Sequence, residues 1–290
     1  MSNVYEAITD KIVKQLEAGI IPWRKGWKST SSGLPLNYIT RKPYRGINIL
    51  TLFMTRFESN QWMTYKQAQS IGANVRRGEH GEQIVFWKFD KKLNADGEEQ
   101  RWAMARTYTV FNVEQIDGLP VALPFDAVPF DPIVSADAIV QTYMGCGNHP
   151  TLAHGGNSAY YRPSQDHVQM PPQTSFLSER EYYSTLFHEF AHSTGHKSRL
   201  DRSHTGGFGT EDYSKEELIA EFAACFLCAD AGISNDDLIT NSTAYIQGWL
   251  KVLKNDTKLA MSAAQAAQRA VDIVQCRTFG ADASEVEVSA

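Results

Sequence analysis

Thr185-Leu186-Phe187-His188-Glu189-Phe190-Ala191-His192 is the stretch whose reading decides the fold of the second half of this chain. The surrounding run is apolar and reads as helix. Positions i and i+4 lie one above the other on a helix face, so both imidazoles reach a single metal ion. Glu189 follows the first histidine directly and can reach a water on that metal. An ordinary pair of core histidines, packed among Phe187, Phe190 and Ala191, is the competing reading. The spacing favours a zinc site, with His188 and His192 as ligands and Glu189 as general base.

A catalytic zinc needs a third protein ligand and one open position. Glu216-Glu217-Leu218-Ile219-Ala220-Glu221 lies in the next helical run, expected over Lys215 to Ala231. Glu217 and Glu221 share a face, so one can bind the metal while the other holds a ligand histidine by its second ring nitrogen. Spacing does not decide between them. Glu217-x-x-Ala220-Glu221 resembles the gluzincin arrangement, which favours Glu217 as ligand with Glu221 behind it. Ser214-Lys215-Glu216-Glu217 also reads as a capping box, which would occupy Glu217. His196, Tyr213, Tyr160, Tyr161 and His204 are candidates for the donor that stabilises an oxyanion. His196 follows His192 by four residues, but Gly195 is expected to end the helix, which argues against a fourth ligand. A His/His/Glu set also accepts other divalent ions.

Upstream, Ser178-Glu179-Arg180-Glu181 is a capping box for the motif helix. Ala159 to Arg162 and His167 to Met170 read as short strands, the second an edge strand for an extended peptide. Ile133 to Met144 is helical in pattern, as are about Thr243 to Lys254 and Thr257 to Gln275. In the first half, Ser2 to Gly19 carries Val4, Ile8, Ile12 and Leu16 as one apolar stripe. Ile47 to Phe57 reads as helix, and Thr64 caps a short helix, Tyr65 to Ser70. Ile84 to Phe89 and Trp102 to Phe111 form an antiparallel hairpin turning at Asn94-Ala95-Asp96-Gly97. The fold class is therefore α+β: a small sheet with helices, then a mainly helical domain with a short sheet packed over the motif helix. Pro120, Pro124, Pro129 and Pro132 mark a linker over 118–132, between domains 1–117 and 133–280, and 281–290 reads as a flexible tail.

Of 290 residues, 42% are hydrophobic and 21% charged, a globular composition. No apolar run is long enough to span a bilayer, and the N-terminus lacks signal-peptide features. A cytoplasmic protein with no membrane partner is expected. Four cysteines are too sparse for a disulfide framework, and Cys225-Phe226-Leu227-Cys228 reads as buried thiols. The net charge of −5 conceals an asymmetry: residues 1–120 hold 17 Lys+Arg against 12 Asp+Glu, and residues 121–290 hold 11 against 21. In the first half aromatic and basic groups alternate, as Trp23, Arg24, Lys25 and Trp27, then Lys42, Tyr44 and Arg45, then Trp62, Tyr65 and Lys66, then Arg76 and Arg77. That mixture suits single-stranded nucleic acid, with bases stacking on rings at about 1–3 kcal/mol each and cations meeting phosphates. A basic surface over buried tryptophans has the same composition.

Two sets of residues together resemble a known family. Ile21-Pro22-Trp23 with Trp27, Asn37, Tyr44-Arg45-Gly46-Ile47-Asn48, Trp62-Met63-Thr64, Val75-Arg76-Arg77-Gly78-Glu79 and Phe111-Asn112-Val113-Glu114-Gln115 are similar to the single-stranded-DNA-binding domain of ArdC-type antirestriction proteins. Tyr160-Tyr161, Met170-Pro171, the His188–His192 motif with Thr194-Gly195-His196, Tyr213 and Glu216 to Glu221 resemble that family's zincin-like domain. The resemblance implies a plasmid- or phage-borne protein that binds single-stranded DNA, with Asn48 among its contacts, and shields it from restriction. It implies a Zn2+ metallopeptidase domain that acts on a host protein or is dispensable. Two alternatives stay open: a metalloprotease whose basic half is an exosite for a protein substrate, and a non-catalytic DNA-binding protein with structural zinc.

Overall fold

The computed structural model describes residues 4–24, 33–55, 57–93, 99–119, 132–202, 210–233 and 242–277. Helix α1 (Val4–Glu17) buries the stripe Ile8, Ile12 and Leu16. The chain leaves it through Gly19, whose φ of 74° favours a residue without Cβ, and enters a short helical turn at Pro22–Arg24. There follow β1 (Leu36–Asn37), α2 (Ile47–Phe53), β2 (Gln61–Thr64), α3 (Tyr65–Ser70), β3 (Asn74–Val75), β4 (Glu82–Leu93), β5 (Glu99–Asn112) and β6 (Ile116–Asp117). One sheet has the order β1-β2-β5-β4, parallel only between β1 and β2, and β3 pairs with β6. Thr64 caps α3 in a reciprocal box with Gln67. The hairpin is present and longer than expected; its turn at 94–97 lies outside the described residues. α2 stops at Phe53 rather than Phe57, and Thr55 closes it by donating to the Leu52 carbonyl at 2.7 Å.

The second half contains α4 (Pro132–Gly145), β7 (Thr151–His154), β8 (Tyr160–Arg162), β9 (His167–Met170), α5 (Glu179–Ser193), α6 (Glu211–Asp230), α7 (Ser242–Asn255) and α8 (Leu259–Val274). The second sheet has the order β7-β9-β8. Strand 167–170 is therefore central and not the edge expected for it, because β7 pairs along it in parallel from Thr151↔His167 to His154↔Met170. At the start of α5, Ser178 accepts from the Glu181 amide, but the Glu181 carboxylate accepts from Leu177 instead of Ser178, one residue outside the expected box. Helix α6 begins four residues before Lys215, capped by Thr210, which accepts from the Tyr213 amide at 3.2 Å. Ser214 is thus inside the helix, and the capping box expected at Ser214–Glu217 does not form.

Phe222 to Ala229 of α6 are buried without interruption, as expected of a helix that is apolar on every face and runs through the centre of a core. The largest apolar cluster joins α1, Trp23 and α2 to α5, α6 and α8. Polar bonds cross the same boundary. Arg45 donates to both oxygens of Asp272 in α8 (2.7 and 2.6 Å), the Gly46 amide donates to Gln268 Oε1 (3.0 Å), and Thr9 donates to the Thr257 carbonyl (2.7 Å). Cys146, beyond the end of α4, and Cys276, beyond α8, form a disulfide with Cα atoms 6.3 Å apart. The sparse cysteines form no framework, but this one pair joins residues 130 apart in sequence, a proximity of two helix ends that the sequence does not show. Cys225 and Cys228 are buried, as expected. No described helix is long and apolar enough to cross a membrane.

Candidate metal centre

Leu186, Phe187, Phe190 and Ala191 are fully buried and fix α5 by one face. The opposite ridge carries His188 and His192 toward α6. Their Nε2 atoms are 3.1 Å apart. Glu217 divides its carboxylate between them, with Oε2 3.4 Å from His188 Nε2 and Oε1 3.5 Å from His192 Nε2. Among the described residues, His188, His192 and Glu217 are the group whose donor atoms converge closely enough to hold a metal ion.

Behind each imidazole stands another carboxylate. His188 Nδ1 faces Glu221 Oε1 at 3.6 Å, and His192 Nδ1 faces Glu216 Oε1 at 3.4 Å. Such contacts hold the ring orientation and leave Nε2 for a metal. Glu216 is itself gripped by Arg202, through Nη2 to Oε1 (2.8 Å) and Nε to Oε2 (3.1 Å). Arg202 also donates to the Ala191 carbonyl and to Thr194, so one guanidinium secures the exit of α5 and the carboxylate behind His192. Glu221 Oε2 accepts from the indole of Trp23 at 3.2 Å.

The electrostatics are those of buried acids sharing few cations. Burial opposes a charge on His192, but its bonds to Glu216 and Glu217 outweigh that and raise its pKa to about 10. His188 is raised in the same way, burial being overcome chiefly by Glu217. Burial would raise Glu216, yet His192 and Arg202 hold it down at about 2, and Glu217 is pushed well below the usual carboxylate range by the two histidines. With neutral imidazoles, Glu216 is paired with Arg202, while Glu217 and Glu221 face the rings and add negative charge beside them. Two imidazole nitrogens, one carboxylate and this excess of negative charge fit a divalent cation.

The other residues expected to carry function divide sharply. Tyr161 donates to Asp166 at 2.9 Å, and Tyr160 accepts from Arg162 at 3.1 Å. His196 Nδ1 is 2.8 Å from Ser198 Oγ and 3.9 Å from Asp166. Asp166 in turn pairs with Arg199, which donates twice to the Ser193 carbonyl. Tyr161 and His196 thus belong to the polar clamp that joins the sheet to the end of α5. Tyr213 stands one turn before Glu217 on the same face of α6. His204, Lys25, Trp27, the linker residues 120–131 and the tail 281–290 lie outside the described residues, as does the side chain of Arg24.

The expectation that Trp23, Tyr44 and Trp62 stack on bases is corrected by their burial. Trp23 is 1% exposed, with its ring 4.7 Å from Phe222 and 5.2 Å from Trp249. Trp62 is equally buried and packs edge-on against Phe57, and Tyr44 lies in the same cluster. Asn48 is buried, exchanging two 2.8 Å bonds with the backbone of Val85. Arg45 is engaged by Asp272, and Arg76 by Glu79, Asp117 and the Glu114 carbonyl. Lys42, Lys66 and Arg77 are exposed. Sequence reasoning also missed Glu216 and Arg202. Glu216 was findable as a second acid beside Glu217, whereas nothing in the loop sequence marks Arg202.

Residues 2–111 match the N-terminal domain of anti-restriction factor ArdC, and residues 142–266 match the zincin-like metallopeptidase family. The chain is 36% identical to protein y4eC of Sinorhizobium fredii (strain NBRC 101917 / NGR234), covering 100% of this chain and 97% of that protein. It is 36% and 38% identical to two forms of DNA primase TraC of Escherichia coli over 93% of its own length, but spans only 20% and 27% of theirs. Among solved structures it is similar to the antirestriction protein ArdC of the R388 plasmid. The metal-free form has a TM-score of 0.76 at 37% identity and the Mn(II)-bound form 0.74 at 38%, each covering 94% of this chain and 97% of the other. On this likeness along nearly its whole length, the chain belongs to the ArdC antirestriction family, with a zincin-like metallopeptidase domain in its second half.

Proposed function

We propose that the chain binds single-stranded DNA through its first half, hydrolyses peptide bonds at a zinc site in its second, and protects incoming plasmid or phage DNA from host restriction. The observation that carries the catalytic part is the convergence of His188, His192 and Glu217, with a carboxylate behind each imidazole. The Mn(II) held by the R388 relative supports a divalent ion. Zinc is named because two imidazoles and a carboxylate, with room for water, form its usual hydrolytic set. When bound, zinc would acidify a water and polarise a carbonyl. Glu189, buried between the two histidines in sequence, takes up the proton and returns it to the leaving amine. Tyr213 is our candidate for the oxyanion donor.

Support for DNA comes from the match to the ArdC N-terminal domain and from primases among the relatives. The surface contributes as well. Asn37 accepts from the Ile39 and Thr40 amides and donates to Gln67 at 3.1 Å, clipping the turn 37–42 to α3. That juxtaposition groups exposed Arg41, Lys42, Tyr65 and Lys66. Among the described residues of this candidate set, Tyr65, 46% exposed, offers its ring to a base in place of the buried tryptophans. Two measurements test the reading: salt-dependent binding of a labelled single strand against its duplex, and zinc-dependent cleavage of an unfolded protein by the wild type and by Glu189→Gln. Equal affinity for both DNA forms overturns the first part. Cleavage that survives Glu189→Gln overturns the second.

A further inference from the structure

The metal centre contains a residue from the opposite half of the chain. Glu221 uses its two oxygens on different partners: Oε1 faces His188 Nδ1 at 3.6 Å, and Oε2 receives the Trp23 indole N–H at 3.2 Å. An indole N–H is a donor only and has one direction. Its ring is immobilised on two sides, by Phe222, the residue after Glu221, and by Trp249 of α7. The turn Pro22–Arg24 that presents it follows α1, whose stripe is buried in the same core. Trp23 therefore holds one oxygen of the Glu221 carboxylate while the other faces the His188 ring.

We propose that Trp23 is a positioning residue for the metal centre, so that the zincin-like site is complete only with the N-terminal region folded against it. The inference rests on the metal-binding reading above. It gives Trp23 a role distinct from base stacking and distinct from packing alone. Partners behind a metal-binding histidine typically change metal affinity by about 10- to 100-fold.

The test uses the full chain and Zn(II) or Co(II) in competition with a chromophoric chelator. Trp23→Phe keeps an aromatic ring in the core and removes the N–H; the benzothienyl analogue of tryptophan, introduced at position 23 alone, removes it with little change of shape. Both are expected to bind metal about 10-fold more weakly, with an altered Co(II) visible spectrum and a melting temperature of the metal-free protein close to wild type for the isostere. Glu221→Ala is expected to weaken binding similarly, and adding Trp23→Phe to it to cause little further loss. Wild-type affinity and spectrum in the isosteric variant overturn the proposal, as does a full additional loss in the double variant. If the wild type itself binds neither ion, the metal-binding reading falls and takes this one with it.

Discussion

Glu216 Oε1 lies 3.4 Å from His192 Nδ1 while the same carboxylate receives two bonds from Arg202. One acid thus orients the metal-site histidine and balances a guanidinium that is 13% exposed. Glu216→Ala is expected to act twice. Metal affinity should fall by about 10-fold. Stability of the metal-free protein should fall by about 3–5 kcal/mol, because Arg202 is left without its buried partner. Chelator competition and urea unfolding read the two effects separately. Replacement of Arg202 by Met should cost less than Glu216→Ala, since it leaves no unpaired guanidinium.

Titration gives a second expectation. In the metal-free chain His192 has a folded pKa of about 10, above its ordinary 6.5, so its pairing stabilises fully below pH 6.5 and is lost as pH rises through 10. Glu216 is held at about 2, below its ordinary 4.5, so its contribution is present above pH 4.5 and lost as pH falls toward 2. This cluster therefore stabilises the metal-free fold most between pH 4.5 and 6.5. Cation binding must displace the proton on His192, so metal affinity should rise with pH from 6 to 10. Melting curves with a chelator, and isothermal titration at several pH values, check the two slopes.

Glu189→Gln should retain the metal and the fold, because Glu189 is not among the converging donors. Cleavage should drop by about 100-fold or more. His188→Ala and Glu217→Ala should instead lose the metal itself. Metal content by atomic absorption alongside a cleavage assay distinguishes the classes.

Arg45 and Lys42 sit three residues apart and should behave oppositely. Arg45→Ala removes the bond to Asp272 and is expected to destabilise by about 1–3 kcal/mol, with little change in the salt dependence of DNA binding. Lys42→Ala with Lys66→Ala should leave stability intact and flatten the log–log salt slope for single strands by about 1.4, or 0.7 per phosphate contact. Anisotropy titrations over a range of salt provide the comparison.

The parts of the centre legible in sequence are those fixed by helix periodicity. His188, His192, Glu217 and Glu221 are two i, i+4 pairs, and any helix brings each pair onto one face. Distances in the structure place Glu217 between the imidazoles and Glu221 behind one of them, which spacing alone left open. Trp23, Tyr44 and Trp62 are buried, an outcome the sequence leaves open because alternation of rings and cations describes both a binding surface and a basic surface over a core. Only packing against Phe222 and Trp249 separates these for Trp23. β9 was misplaced because β7 went unread: Thr151-Leu152-Ala153-His154 has neither strong alternation nor full burial to announce a strand. Arg202 and the Cys146–Cys276 bond arise from tertiary proximity, for which the sequence has no local sign.

The uninterrupted core bears on how such a gene can be recombined. The TraC primases align with 93% of this chain, at 36% and 38% identity, and are much longer chains. A crossover between residues 111 and 142 would deliver either matched region with its inner surface bare: α1 and α2 without α8, or α6 without Trp23. Exposed apolar area of that kind invites aggregation. The portable cassette is accordingly the whole span from α1 to α8, and fusion points that preserve it lie beyond its two ends.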